Sequence, residues 1–447
     1  MPLKPPSPRT GFIPPPLDLS HLKGQEMPVG APFGPPPAAW DWRTYNKVTS
    51  VKDQGACGSC YAHAAIANFE SKTLIDGAYT LPDPNFSENN AKECNWREIN
   101  NYVDFWGYSW GGCSGGNYDM LASLFSQKGV VLESCDPYVA NDAGACKTTC
   151  PYQKTLLDWR IISGNVVPDT GVLKNYIQTY GPVYTVFYAS FPGFDTYDGS
   201  YTLYYTGTET PNHAVLIVGW DDSLVHAGGT GGWIVKNSWG STWGDGGYFY
   251  IAYGSASIGM DSSFMYAWQN YDPNGGIMYY DDDGGWSNAW GCGTTTAWGL
   301  VKFIPPSDTE VTRVEFWTWD VTTDVDIYLY DNFDPSTGPS TLLRSDLDNP
   351  FSEAGYHSVQ LPSPLPVTSG NDIIAVVKVT DSSFNYPVAS DTVGPYETDR
   401  TYISCNGSPP WYEMGADQGD DVAIRLRTSA APELPEKVYL PLIMKNY

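Results

Sequence analysis

Nine cysteines in 447 residues constrain this chain more than any other feature. An odd number at close spacings fits an even set of disulfides plus one free thiol. Cytosolic chains rarely keep that many, so an oxidising, extracytoplasmic location follows. In the run Gln54-Gly55-Ala56-Cys57-Gly58-Ser59-Cys60-Tyr61-Ala62, one cysteine stands where a helix begins. A helix N-terminus and a nearby imidazolium both favour the thiolate. Cys57 competes for the nucleophile's role, but only Cys60 opens the helix, so Cys60 is the expected free, reactive thiol.

The net charge of −26 argues against nucleic acid as a partner, because phosphates would be repelled, and against anionic membrane surfaces. No apolar run is long enough to span a bilayer. Residues 1–37 carry the proline runs Pro14-Pro15-Pro16 and Pro35-Pro36-Pro37 and lack the apolar core of a secretory leader. The expectation is a secreted or cell-surface protein whose signal peptide was removed or is not part of this chain. Proline fixes φ and withholds a donor, so 1–37 should be an extended leader, either disordered or a strap across the next domain.

Four segments follow from the patterning: the leader 1–37, a mixed segment 38–268, a β segment 269–428, and a linker with a short apolar tail, 429–447. Residues 60–76 place Ala62, Ala65, Ile66, Phe69 and Thr73 on one helical face. Asn117–Lys128, stopped by Gly129, and Thr170–Tyr180, closed by Gly181-Pro182, read as further helices. Strands are expected at Val183–Ala189, His213–Trp220, Trp233–Asn237 and Tyr248–Tyr253. Helices first and strands second suggest an α+β domain in two halves with a cleft between them. After residue 269, short alternating runs between turns suit an all-β sandwich. The tail Val438–Met444 is too short for an anchor and reads as an edge strand or a sorting signal.

The chemistry of a reactive thiol needs a base, and the chain has five histidines. His63, on the Cys60 helix, lies beside the thiol or faces away. His213 begins a strongly apolar strand, where a titratable ring needs a reason to be. Asn237, on the next predicted strand, offers an oxygen that fixes the ring's tautomer, and Trp233 and Trp239 could shield that bond from water. Gln54 can donate its amide to a developing oxyanion together with the Cys60 N–H. Cys60 would then attack a peptide carbonyl and form an acyl-enzyme, with His213 as base and acid.

Gln54–Ala62, Asn212–Val215 and Asn237–Trp239, in the order Cys, His, Asn, resemble the papain/cathepsin family of cysteine peptidases over residues 40–268. The resemblance implies a papain-like two-lobed α+β domain, with a helical left half and a β-barrel-like right half, and an endopeptidase that needs no cofactor for catalysis. It implies Cys60, His213 and Asn237 as the catalytic set, working as a thiolate–imidazolium pair, with Gln54 in the oxyanion hole. Gly58, Gly115 and Gly116 would meet substrate backbone, and Trp239 would line the primed side. Tyr118, Ala214 and Ser263 would shape a neutral pocket for an apolar or aromatic side chain two residues before the scissile bond (P2). It also implies a Cys57–Cys113 disulfide and leaves the partner of Cys94 open among Cys135, Cys146 and Cys150. Tyr61 departs from the usual tryptophan, and the leader lacks the long helical propeptide of cathepsins. Latency would need another device, for which the segment Gly11–Leu22 lying on the cleft is the candidate.

Cys292 and Cys405 are the only cysteines of the β region and should bridge each other. That region resembles the lectin-like domain that follows the peptidase in clostridial cell-wall cysteine proteases. The resemblance implies contact with cell-surface carbohydrate and makes calcium a candidate ligand of the acidic runs Asp281-Asp282-Asp283, Asp324/Asp326 and Asp417/Asp420/Asp421; solvated acidic turns are the alternative. Protein or peptide substrates are the expected partners. The rival readings are an adhesion protein with a vestigial peptidase fold, and a ligase that passes the acyl group to an amine.

Overall fold

A computed structural model describes residues 10–22, 24, 35–95, 111–282, 287–392 and 395–430. The predicted linker and tail beyond residue 430 lie outside the described residues, as do the leader's first nine.

The central helix, Cys60–Ile75, is buried on every side rather than along one face: only Lys72 and Ile75 escape burial. A helix enclosed all round belongs to the middle of a domain. Its one buried acid, Glu70, is satisfied by Thr49 Oγ1 at 2.5 Å, the Phe86 N–H at 2.9 Å and Lys52 at 3.4 Å. The Tyr118–Gln127 helix is capped by Asn117, whose side chain accepts from the Met120 N–H. Thr170–Tyr180 is capped by Asp169 and ends at Gly181, whose positive φ (122°) suits glycine.

The β half holds antiparallel strands in the spatial order Tyr248–Ala252, Gly229–Lys236, His213–His226, Val183–Phe187, Met260–Asn270 and Tyr152–Ile161. The last two are not among the strands expected from the sequence pattern. Tyr152–Ile161 is buried on both faces through its middle, which erases the alternation that marks a strand. Met260–Asn270 runs straight through the expected boundary at 268/269.

The sheet does not stop at that boundary. Tyr152–Ile161 pairs with Ala354–Val367 of the β region (Ala354↔Ile161, Gly355↔Arg160, Tyr356↔Trp159), and Thr309–Thr318, Ile424–Ala430 and Gly276–Met278 continue it. A six-stranded sheet led by Gly338–Phe351 and Thr323–Asp334 packs over this extension. Val314 and Phe316 meet Val325, Ile327 and Val377 in a sandwich core. Gly355 sits at the junction with φ 141°, where a Cβ would lie 2.2 Å from the Trp159 carbonyl oxygen. Only glycine allows the two backbones to pair there.

Charged side chains at the junction are matched across it. Arg160 bonds Glu353 at 2.9 Å and Tyr176 Oη bonds the same carboxylate at 3.1 Å. The fully buried Arg425 grips Asp281 through Nε at 2.9 and 3.1 Å and reaches Ser123 and Ser126 of the Tyr118–Gln127 helix, both at 2.9 Å. His357 lies between Thr318 (2.9 Å) and Asp158 (3.4 Å).

Candidate active site

The disulfide framework leaves one thiol. Cys57 bonds Cys113, Cys94 bonds Cys146, Cys135 bonds Cys150 and Cys292 bonds Cys405, while Cys60 is free and buried. The Cys57–Cys113 bridge ties the start of the central helix to the Gly115–Gly116 turn. Ser59 stands at the helix N-cap without capping, because its hydroxyl is engaged by Tyr138 at 2.6 Å. The first N–H groups of the helix therefore stay open to the sulfur of Cys60.

His213 comes to that sulfur from the first residue of its strand. The Ala214 N–H donates to Cys60 Sγ at 3.4 Å, and His213 Nε2 donates to Asn237 Oδ1 at 2.8 Å. Asn237 Oδ1 also accepts the Ser238 N–H at 2.9 Å, which sets the amide with its oxygen toward the ring and leaves the buried Nδ1 without a hydrogen-bond partner. Trp239 packs on the His213 ring with centroids 5.2 Å apart, and Phe187 approaches it at 5.7 Å. Trp233 does not share this task; it pairs with Trp220, seven residues along the strand from His213, and packs on Tyr253. His63 is engaged elsewhere, its Nδ1 3.0 Å from the Ser59 carbonyl oxygen, and burial pushes it down to about 3.

Gln54 is fixed from both ends, its Nε2 donating to the Cys57 carbonyl at 2.7 Å and its Oε1 accepting from Ser238 Oγ at 2.5 Å. The Ser238 hydroxyl and the Cys57 carbonyl thus hold this amide beside the start of the Cys60 helix.

The cleft is covered by the leader. Gly11 and Phe12 both donate their N–H groups to the Asn212 carbonyl at 3.1 Å. Gly116 donates to the Gly11 carbonyl at 2.9 Å and accepts from the Ile13 N–H at 3.0 Å, a parallel bridge centred on Phe12. The glycines expected to meet a substrate backbone meet this one: a Cβ on Gly115 would lie 2.6 Å from the Gly11 carbonyl oxygen, and one on Gly58 3.0 Å from that of Thr10. The Gly11 N–H also points at Cys60 Sγ. An N–H of the leader therefore faces the thiol. Farther along, His21 Nε2 reaches the Trp319 carbonyl at 2.7 Å and the ring stacks on Phe384 at 4.1 Å. The strap spans both domains.

Covering changes the titration of the pair. Burial pushes the Cys60 thiol up to about 11 against the pull of four backbone N–H groups, and pushes His213 down to about 4.

Phe12, only 6% exposed, lines a pocket together with Tyr118, Ser263, Tyr184 and Trp159. Ala214, expected there, borders instead a small cavity behind the catalytic pair with His63, Lys236 and Asn237. Two lining residues were missed in the sequence, Asp119 and Asp261. They stand one residue after Tyr118 and two before Ser263, an adjacency that could have flagged them. Desolvation raises Asp119 to about 8, assisted by Asp261, and raises Asp261 to about 7. The covered fold thus binds protons that the unfolded chain gives up near the ordinary aspartate value of about 3.9. Stability should therefore fall as pH rises from about 4 to about 8, by a few kcal/mol. Urea midpoints across that window should show the slope, and Asp119→Asn should flatten it; a slope unchanged in Asp119→Asn would refute this assignment.

Of the acidic runs in the β region, Asp281 is committed to Arg425, and Asp420 accepts from Asn288 at 2.8 Å. Among the described residues, only Asp324 and Asp326 meet a third carboxylate, Asp348, with ligand atoms within 4.8 Å. Lys378 already holds Asp326 at 2.7 Å.

A buried thiol at a helix N-terminus, a His–Asn pair on adjacent strands and a cleft between a helical and a β half are the parts of a thiol protease. Residues 36–268 match the model of the papain family of cysteine proteases, and the chain belongs to that family. Residues 278–425 match the model of a lectin-like domain. The viral cathepsin of Adoxophyes honmai nucleopolyhedrovirus is 31% identical over 226 residues, covering 51% of this chain and 60% of that protein. Cathepsin L of Sarcophaga peregrina is 32% identical over 235 residues, covering 50% and 62%. The chain thus spans less than two thirds of the length of these relatives. In fold, it is similar to the crystal structure of the cysteine protease and lectin-like domains of Cwp84, a surface layer associated protein of Clostridium difficile, with a TM-score of 0.73, 20% identity, and coverage of 95% of this chain and 93% of that one.

Proposed function

We propose that this chain is a secreted or surface-associated cysteine endopeptidase held latent by its own leader. The observation that carries the reading is the free Cys60 beside a His213 ring fixed by Asn237, with the Gly11–Phe12 backbone lying across both. When the leader leaves, water and substrate replace it, and the thiol proton passes to His213 Nδ1. The thiolate adds to the peptide carbonyl carbon, and the oxyanion takes hydrogen bonds from Gln54 and the Cys60 N–H. The C–N bond breaks as His213 returns its proton to the leaving amine. His213 then draws a proton from water, whose hydroxide displaces the thiol from the acyl group. No cofactor enters these steps.

The aromatic and apolar lining that Phe12, Tyr118, Trp159, Ile161 and Tyr184 give this pocket supports an apolar or aromatic P2 side chain. Four disulfides support an oxidising, extracellular setting. The lectin-like domain supports contact with cell-surface carbohydrate. An epoxysuccinyl thiol probe should label the wild type at Cys60 after activation and leave Cys60→Ala unlabelled, with peptide products ending at hydrolysed bonds. Products joined to an added amine in place of water would move the reading to a ligase, and an unlabelled wild type would refute it.

A further inference from the structure

The pocket beneath Phe12 has apolar and aromatic walls and an acidic lining at one side. Asp119 comes from the first turn of the Tyr118–Gln127 helix and Asp261 from the start of the Met260–Asn270 strand, at a positive φ of 45°. Neither carboxylate has a cationic partner among the described residues, whereas the other buried acids nearby are matched: Glu70 by Lys52, Asp158 by Arg160, Glu353 by Arg160. A third polar group in the same wall is also unsatisfied. The Tyr184 hydroxyl, on a side chain 1% exposed, is buried and has no hydrogen-bond partner. Two unpaired carboxyls and an orphan hydroxyl around one pocket are expensive to keep unless something fills it with matching charge.

We propose that Asp119 and Asp261 make this pocket a receptor for the cationic side chain of a substrate lysine or arginine, alongside the apolar side chains its walls favour. The proposal rests on the reading of this pocket as the P2 site. Long basic side chains suit such a lining, since their methylene stems lie along apolar surface while the charged end seeks a carboxylate. Phe12 of the leader closes the pocket on one side, packed in the same apolar cluster as Tyr118 and Tyr184. The acids decide what else is admitted: protonated, they tolerate an apolar occupant, and ionised, they call for a cation. The titratable groups facing the two carboxyls are each other and the phenols of Tyr118 and Tyr184. The Tyr152–Ile161 strand contributes Trp159 and Ile161, and the leader contributes Phe12, Pro15 and Leu19, none of which titrates. With no lysine, arginine or histidine in the lining, only the two aspartates change the pocket's charge between pH 5 and pH 8.5.

Two readouts test this. The first uses peptides that differ only in arginine or phenylalanine at P2. The ratio of their kcat/KM values cancels the ionisation of Cys60 and His213 and should rise about tenfold or more in favour of arginine from pH 5 to pH 8.5. In Asp119→Asn/Asp261→Asn the ratio should stay flat. A ratio independent of pH in the wild type, or equally pH-dependent in the double variant, overturns the proposal. The second needs no turnover, and so separates failure of this proposal from failure of the peptidase reading. Phe12→Lys in the full chain carries a cation into the pocket, and its effect on the unfolding midpoint should be less adverse at pH 8.5 than at pH 5. That difference should vanish in the background of Asp119→Asn/Asp261→Asn. Equal effects of Phe12→Lys in both backgrounds at both pH values overturn the proposal, even where neither peptide is cleaved.

Discussion

Gly11→Val is expected to speed epoxysuccinyl labelling of Cys60 in the full chain by about a hundredfold or more. A Cβ at residue 11 would lie 1.8 Å from the Gly58 carbonyl oxygen and 2.6 Å from the Gly58 Cα. Both are backbone, anchored by the Cys57–Cys113 bridge and by the Gly58 N–H donating to the Cys113 carbonyl at 3.2 Å, so the neighbour cannot yield. The leader must lift instead. It then loses the bonds to Gly116 and Asn212, each worth about 0.5–1.5 kcal/mol net, and the burial of Phe12, worth about 1.5–3 kcal/mol. Every 1.4 kcal/mol is a factor of ten in the exposed population, so the losses together exceed two decades even when discounted for non-additivity. The same variant should shift the pH midpoint of the alkylation rate downward, because solvation removes the burial that holds the thiol neutral. A labelling rate equal to wild type would show that the strap does not gate the thiol.

Arg425→Met should destabilise the chain by about 3–5 kcal/mol. The guanidinium is fully buried, and its removal strands Asp281, also buried, without a counter-charge. It also frees the hydroxyls of Ser123 and Ser126, and with them the face of the helix whose first turn supplies Tyr118 and Asp119 to the pocket. Arg425→Met/Asp281→Asn should recover most of the loss, since deleting both partners removes the stranded charge. Urea unfolding followed by tryptophan fluorescence and by circular dichroism checks both statements. If Arg425→Met unfolds at the wild-type midpoint, the ion pair does not hold the domains together.

The residues proposed as catalytic were legible in the sequence because their chemistry demands particular side chains in short local contexts. Cys60 opens a helix, His213 opens an apolar strand, and Asn237 stands two residues before a tryptophan. What escaped reading depends on partners distant in sequence. Tyr152–Ile161 looked unlike a strand because Asp158 and Arg160 sit inside it, and they can do so only because His357 and Glu353, some 200 residues on, receive them. The character of the P2 pocket escaped for the same reason. Tyr118 and Ser263 were foreseen and the pocket looked neutral, but the pairing of Ser263 with Ile161 and Tyr184 is what brings Asp261 into the same lining as Asp119. The helix Cys60–Ile75 was visible as a helix, yet its complete enclosure was not, since Glu70 and Asn68 read as a solvated side until their partners are seen.

The strand pairing at Ala354–Tyr356 has a mechanical meaning. Backbone hydrogen bonds, unlike a linker of a few residues, transmit orientation, so the cleft and the β sandwich point in a fixed relation to each other. Whatever surface the sandwich settles on, the scissile site is presented at one height and one angle above it. Such a chain works less like a free-swimming blade than like a plane set in its block, cutting only what projects to the depth its frame allows.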